Sequence, residues 1–107
     1  MQNCTVDELN GKRQRGEDVL IVDVRTASEL AIADLGGVCH IPLDEIAMRA
    51  EEIAAWKDKE VICMCHHGMR SARAQAILQH AGFTNVRNLT GGIHAWSTQI
   101  DPGVPQY

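Results

Sequence analysis

With 107 residues, 45% of them hydrophobic and 22% charged, the chain has the balance of one compact globular domain, not that of a disordered or fibrous protein. Its net charge of −4 comes from 14 acidic against 10 basic side chains, and no Lys/Arg cluster forms the basic footprint of nucleic-acid or anionic-lipid binding. No apolar run nears the roughly 20 residues of a bilayer span, and Met1–Asn10 lacks the regions of a signal peptide. The expected location is therefore the cytoplasm, with Cys4, Cys39, Cys63 and Cys65 as free thiols rather than a disulfide scaffold.

After a short N-terminal stretch, Asp18-Val19-Leu20-Ile21-Val22-Asp23-Val24 is a nearly continuous aliphatic run, too short for a core helix and typical of a strand buried on both faces. Such burial implies a parallel sheet. Thr26-Ala27-Ser28-Glu29 has the spacing of a capping box, which predicts a short helix that cannot pass Gly36-Gly37. Val38 to Ile41 reads as a second strand, ended by Pro42.

Leu43, Ile46, Ala47, Ala50, Ile53 and Ala54 recur at helical spacing, predicting one amphipathic helix from Leu43 to Trp56. Glu60 to Met64 is a further strand. Ala72, Ala76, Ile77, His80 and Ala81 then mark a helix running from about Ser71 to a cap at Gly82. Asn85 to Leu89 completes the strands, Gly91-Gly92 makes a turn, and Ile93 to Gln99 forms a last helix before Pro102. The tail, residues 101–107, is expected to be loose.

Strands alternating with helices predict an α/β fold: a central, mostly parallel sheet of about five short strands with helices on both faces. The single domain spans 1–107, with its core over about 18–98. In such a fold ligands gather beyond the carboxyl ends of the strands. That is where Cys65-His66-His67-Gly68-Met69-Arg70 falls, between the strand ending at Met64 and the following helix.

A thiol before a helix N-terminus meets the positive end of the macrodipole and unpaired amides, which favour the nucleophilic thiolate. Gly68 allows positive φ, so that the backbone can curl into an anion-binding nest, and Arg70 supplies a fixed charge. His66 and His67 border the entrance, where they could tune donor choice or deliver protons. Cys63, two residues earlier on the strand, falls on the same side as Cys65 and reads as a packed thiol, with a resolving role as its alternative. Cys63, Cys65, His66 and His67 are contiguous rather than spaced as ligand knuckles, so no metal site is expected.

Cys65, Gly68, Arg70 and Ser71 in the pattern Cys-x-x-Gly-x-Arg-Ser resemble the active-site loop of the rhodanese-like domain family, of the single-domain thiosulfate sulfurtransferase type. Leu20 to Arg25, with its Asp-Val-Arg ending, resembles the family's first core strand. Ile41-Pro42-Leu43 resembles its Ile-Pro-Leu step and Leu89 to Trp96 its Gly-Gly-x-x-x-Trp segment, so the likeness covers roughly Val19 to Trp96. It lapses at Ala33 to Val38, where the family usually reads Gly-His-Ile-Pro-Gly-Ala.

The resemblance implies a sulfurtransferase in which Cys65 takes sulfane sulfur from a donor such as thiosulfate, holds it as a persulfide, and passes it to a thiophilic acceptor. Cyanide serves in assay, and a thiol or partner protein in the cell; no cofactor is implied. His66, His67, Gly68, Met69, Arg70 and Ser71 would form the binding loop, with Asp23, Arg25 and Trp96 in support. Related phosphatases carry one more residue between cysteine and arginine, so the six positions from Cys65 to Arg70 make phosphatase or arsenate reductase chemistry the weaker reading. The rival of another class is a non-catalytic or partner-fed sulfur-carrier module.

Overall fold

The computed structural model describes residues 2–107. In chain order the elements are β1 (Asn3–Cys4), α1 (Val6–Gln14), β2 (Val19–Asp23), α2 (Ala27–Ile32), β3 (Cys39–His40), α3 (Ile46–Arg49), β4 (Glu60–Met64), α4 (Met69–His80), β5 (Asn85–Leu89) and α5 (Gly92–Gln99). The five strands form one sheet in the order β1-β5-β4-β2-β3, every pair parallel. From β2 the chain steps to β3 on one side and returns to β4 on the other. This reversal opens a crevice above the carboxyl ends of β2 and β4.

Alternation along the strands divides the core in two. Val22, Val61, Cys63 and Val86 pack under Ile46, Ala50, Ala74 and Leu78 on one face. Ile21, Ile62, Met64 and Leu89 pack under Val6, Leu9, Ile93 and Trp96 on the other. Both faces are apolar because both carry helices, which is why β2 and β4 lack polar alternation. Cys63 and Cys65 share one face, as strand periodicity requires.

Two regions depart from the sequence expectation. The segment 43–56 is not one helix: Leu43–Glu45 and Ala50–Trp56 are 3-10 turns around the four-residue α3, and Ile53 leaves helical geometry at φ −115°, ψ 23°. The apolar spacing there serves burial of Ile46, Ala50 and Ile53, which a bent path achieves as well as a straight one.

The tail is also not loose. Ser97 Oγ donates to Val104 O, Val104 is buried, and Tyr107 stacks on His66 with ring centroids 3.9 Å apart and planes 6° from parallel. Before the expected core, β1 and α1 add a fifth strand and a helix, with Cys4 and Leu9 fully buried. In place of the family's turn after α2, Gly36 N donates to Asp34 Oδ1 at 2.9 Å, and Gly36 and Gly37 take φ of 85° and 67°.

Candidate active site

Cys65 continues the line of β4 and is 1% exposed. Its sulfur accepts from Gly68 N at 3.0 Å, a contact closed by the left-handed Gly68 (φ 113°) that caps α4. A side chain there would be strained by that φ, although space alone would admit a Cβ. Met69, Arg70 and Ser71 open α4, and their amides have no carbonyl within the helix. The loop thus presents one amide already on sulfur and others beside it, the arrangement that stabilises an anion.

Ser71 Oγ lies 3.3 Å from the sulfur and 2.5 Å from Asn88 Oδ1. Asn88 is oriented by donating Nδ2 to Gly68 O at 3.0 Å, which leaves its oxygen facing Ser71. One hydroxyl proton cannot serve two acceptors. While the thiol is protonated, Ser71 donates to Asn88; an anionic sulfur draws that proton to itself.

A second strand-to-helix turn braces the loop. Ile93 N donates to Cys65 O at 2.9 Å and His94 N to His66 O at 3.1 Å. A Cβ on Gly92 would lie 2.4 Å from Cys65 O and 2.5 Å from His66 O, so only glycine fits. The Gly-Gly of the sequence therefore acts as a close backbone approach, not only as a turn.

Arg70 departs from its expected role. It grips both oxygens of Glu29 at 2.6 and 2.7 Å, so its charge is already paired within the protein. The Arg70 fork holds the Glu29 carboxyl well below the usual carboxylate range, against the effect of partial burial. Tyr107 O–H donates to Glu29 Oε2 at 2.8 Å and accepts from Arg25 at 2.9 Å. Arg25 and Asp23, both fully buried, pair at 2.7 Å, and Arg25 also donates to Ala33 O at 2.7 Å. Asp23 and Arg25 thereby fix neighbouring loops instead of lining the site.

A cleft of about 500 Å³ opens beside the sulfur, lined by Cys65, His66, His67, Met69, Arg70 and Arg73. Arg73 forms no ion pair among the described residues and supplies the positive charge that Arg70 does not. Met69 is 83% exposed at the rim. Trp96 is buried in the opposite core under Arg13, away from this cleft. Burial, followed by the charge of His67, holds the His66 imidazole below its ordinary value. Burial, with the Cys65 charge, pushes the Cys63 thiol up to about 12, so Cys63 is protonated at neutral pH.

The structure therefore gathers Cys65, His66, His67, Gly68, Met69, Arg70 and Ser71 at one crevice and leaves Asp23, Arg25 and Trp96 outside it. It adds Asn88, His94, Arg73, Glu29 and Tyr107. Asn88 lies in β5 and His94 in α5, on either side of the neighbouring turn, so no local pattern tied them to the Cys65 loop.

The rhodanese-like domain model matches residues 5–99. The chain belongs to this family. A sulfurtransferase from Allochromatium vinosum is 42% identical over 91 residues, covering 85% of this chain and 83% of the relative. A rhodanese-like/PpiC domain-containing protein 12, chloroplastic, from Arabidopsis thaliana is 34% identical over 112 residues, but the match spans only 38% of that longer protein. A crystal structure of a rhodanese-like domain protein from Staphylococcus aureus superposes with a TM-score of 0.80 at 32% identity, covering 100% of this chain and 99% of that one. The rhodanese-like fold, with its sulfurtransferase relatives, accounts for the sheet order and the loop. No helix among the described residues is long and apolar enough to cross a membrane.

Proposed function

We propose that this rhodanese-like domain transfers sulfane sulfur through a persulfide on Cys65. The observation that carries this is the Cys65 sulfur seated on Gly68 N at 3.0 Å, at the head of α4 and open to the cleft. With thiosulfate as donor, the Cys65 thiolate attacks the outer sulfur. An S–S bond forms to Cys65, the donor's S–S bond breaks, and sulfite leaves with the electron pair.

The terminal persulfide sulfur carries the negative charge, which the helix-opening amides, Ser71 Oγ–H and Arg73 stabilise. A cyanide ion, thiolate or partner-protein thiol then attacks that outer sulfur, and Cys65 departs as thiolate. No external reductant or oxidant is consumed. The half-reactions need a cleft for a small anion, and the span of six from Cys65 to Arg70 is one residue shorter than the related phosphatase loop, which keeps phosphate chemistry the weaker reading. We place the reaction in a reducing compartment such as the cytoplasm, in keeping with four free thiols.

Intact mass spectrometry after incubation with thiosulfate tests this directly. The wild-type chain should gain one sulfur atom, lose it to cyanide, and show no gain as Cys65→Ser. A wild-type chain that stays unmodified by thiosulfate but loads from a persulfidated protein would instead indicate a partner-fed carrier, a reading favoured by exposed Met69 at the cleft rim.

A further inference from the structure

Two histidines of the Cys65 loop meet a third from the bracing turn. The ring nitrogens of His66, His67 and His94 all lie within 4.8 Å of one another. Ring centroids are 4.0 Å apart for His66 and His67 and 4.9 Å for His67 and His94. We propose that these three histidines form a binding site for a divalent transition metal of the zinc class at the wall of the Cys65 cleft.

Three observations support it. The two turns are fastened to each other by backbone hydrogen bonds, Ile93 N to Cys65 O and His94 N to His66 O, so the three imidazoles are assembled by the protein itself. His66 Nε2 is buried and has no hydrogen-bond partner among the described residues. A buried ring nitrogen without a partner is costly and asks for one. The His66 ring is held in orientation by its stack on Tyr107, whose hydroxyl is fixed in turn by Arg25 and Glu29.

The donor chemistry then selects the ion. Three neutral imidazoles suit Zn(II), Co(II), Ni(II) or Cu(II), whereas Mg(II) and Ca(II) want oxygen ligands. The nearby carboxylate, Glu29, is already committed to Arg70 and Tyr107. A zinc ion bound at about 2.0 Å needs nitrogens roughly 3.3 Å apart. Side-chain rotations of His67, which is exposed, and of His94 close the remaining gap. Three protein nitrogens leave a fourth position of a tetrahedral ion for water or another small ligand. Sequence order hides this site: His66 and His67 alone are too close along the chain to make one, and His94 comes from the next turn.

The inference does not rest on sulfur transfer, and its test needs no turnover. The reduced full chain is titrated with Zn(II) by calorimetry and with Co(II) by visible absorption, with Mg(II) as a control. One equivalent of Zn(II) should bind, Mg(II) should not, and Co(II) should show tetrahedral d–d bands without a thiolate charge-transfer band. Cys65→Ser should leave Zn(II) affinity within about threefold, while His67→Ala and His94→Ala should each weaken it by at least about tenfold. Circular dichroism checks that each variant folds, and exposed His67 decides the matter if His94→Ala does not. Absent stoichiometric binding, binding unchanged in His67→Ala, or binding lost in Cys65→Ser would each overturn the proposal.

Discussion

The turns after β4 and β5 are built alike and do opposite things. Each leaves a buried parallel strand, passes a left-handed glycine cap and starts a helix, at Gly68 before α4 and at Gly91 before α5. The first spends four residues, 65–68, on the passage and opens a cleft. The second spends two, Thr90 and Gly91, and closes its backbone against the first. Room for chemistry thus comes from two extra residues, and rigidity from a neighbour that lacks them.

That contrast can be broken most severely at Gly92. Gly92→Ala places a methyl group 2.4 Å from Cys65 O at φ 60°, and should cost on the order of 3 kcal/mol or more, read as a fall in the denaturant midpoint. Asn88→Ala removes the side-chain tie from β5 to the Cys65 loop, leaving Gly68 O and Ser71 without their partner, and should cost about 1–3 kcal/mol. Sulfur loading, followed by mass spectrometry, should also slow in Asn88→Ala.

Gly68→Ala sharpens the comparison, because nothing lies closer than 3.5 Å to the added Cβ. Stability should drop only by about 1–2 kcal/mol from backbone strain, whereas the sulfur-loading rate should fall by at least about tenfold as the backbone relaxes from φ 113° and draws the Gly68 amide away from the sulfur. If Gly92→Ala proved milder in stability than Gly68→Ala, the division into a brace and a reactive loop would be wrong.

The smallest effect is expected at Glu29, which ties the first turn of α4 to the tail. Its folded carboxyl lies below the usual value of 4.5, so the stability it supplies is complete above that value and is lost as pH falls through the folded one. Glu29→Gln should therefore lower the melting temperature at pH 7 by an amount equivalent to less than about 1 kcal/mol. The gap to wild type should narrow on acidification below about pH 4.5, as scanning calorimetry would show.

Elements with an unbroken local signal were legible in the sequence. β2, β4 and β5 are aliphatic runs, and α2 begins at its capping box, where Thr26 Oγ1 accepts from Glu29 N. α1 carries the same box at Thr5 and Glu8, yet only Val6 and Leu9 of its nine residues are buried, so its apolar pattern is faint. β1, at two residues, has no periodicity to read. The 43–56 segment has helical spacing, but spacing reports which residues are buried and not whether the path between them is straight.

In the site, the grouping of Cys65, Gly68 and Ser71 is readable because all three belong to one loop and the helix it opens. Arg70 was misjudged because its partner, Glu29, lies 41 positions away, and charge alone does not reveal which carboxylate a guanidinium will find. Tyr107 and His94 escaped for the same reason: each meets the loop only through the fold.

The pairing of β1 with β5 sets an order of events during synthesis. Asn3 and Cys4 align with Asn88 and Leu89, Asn88 N donates to Gln2 O, and Thr90 N donates to Cys4 O. β1, made before the other strands of this domain, therefore has no hydrogen-bonding partner until β5 follows. Cys4 and Leu9 stay uncovered for that interval, and sheet closure is a late, long-range step. A nascent chain stalled before residue 85 should pair three strands at most, β2, β3 and β4, with Asn3 and Cys4 accessible to protease, while a chain extended past Thr90 protects them.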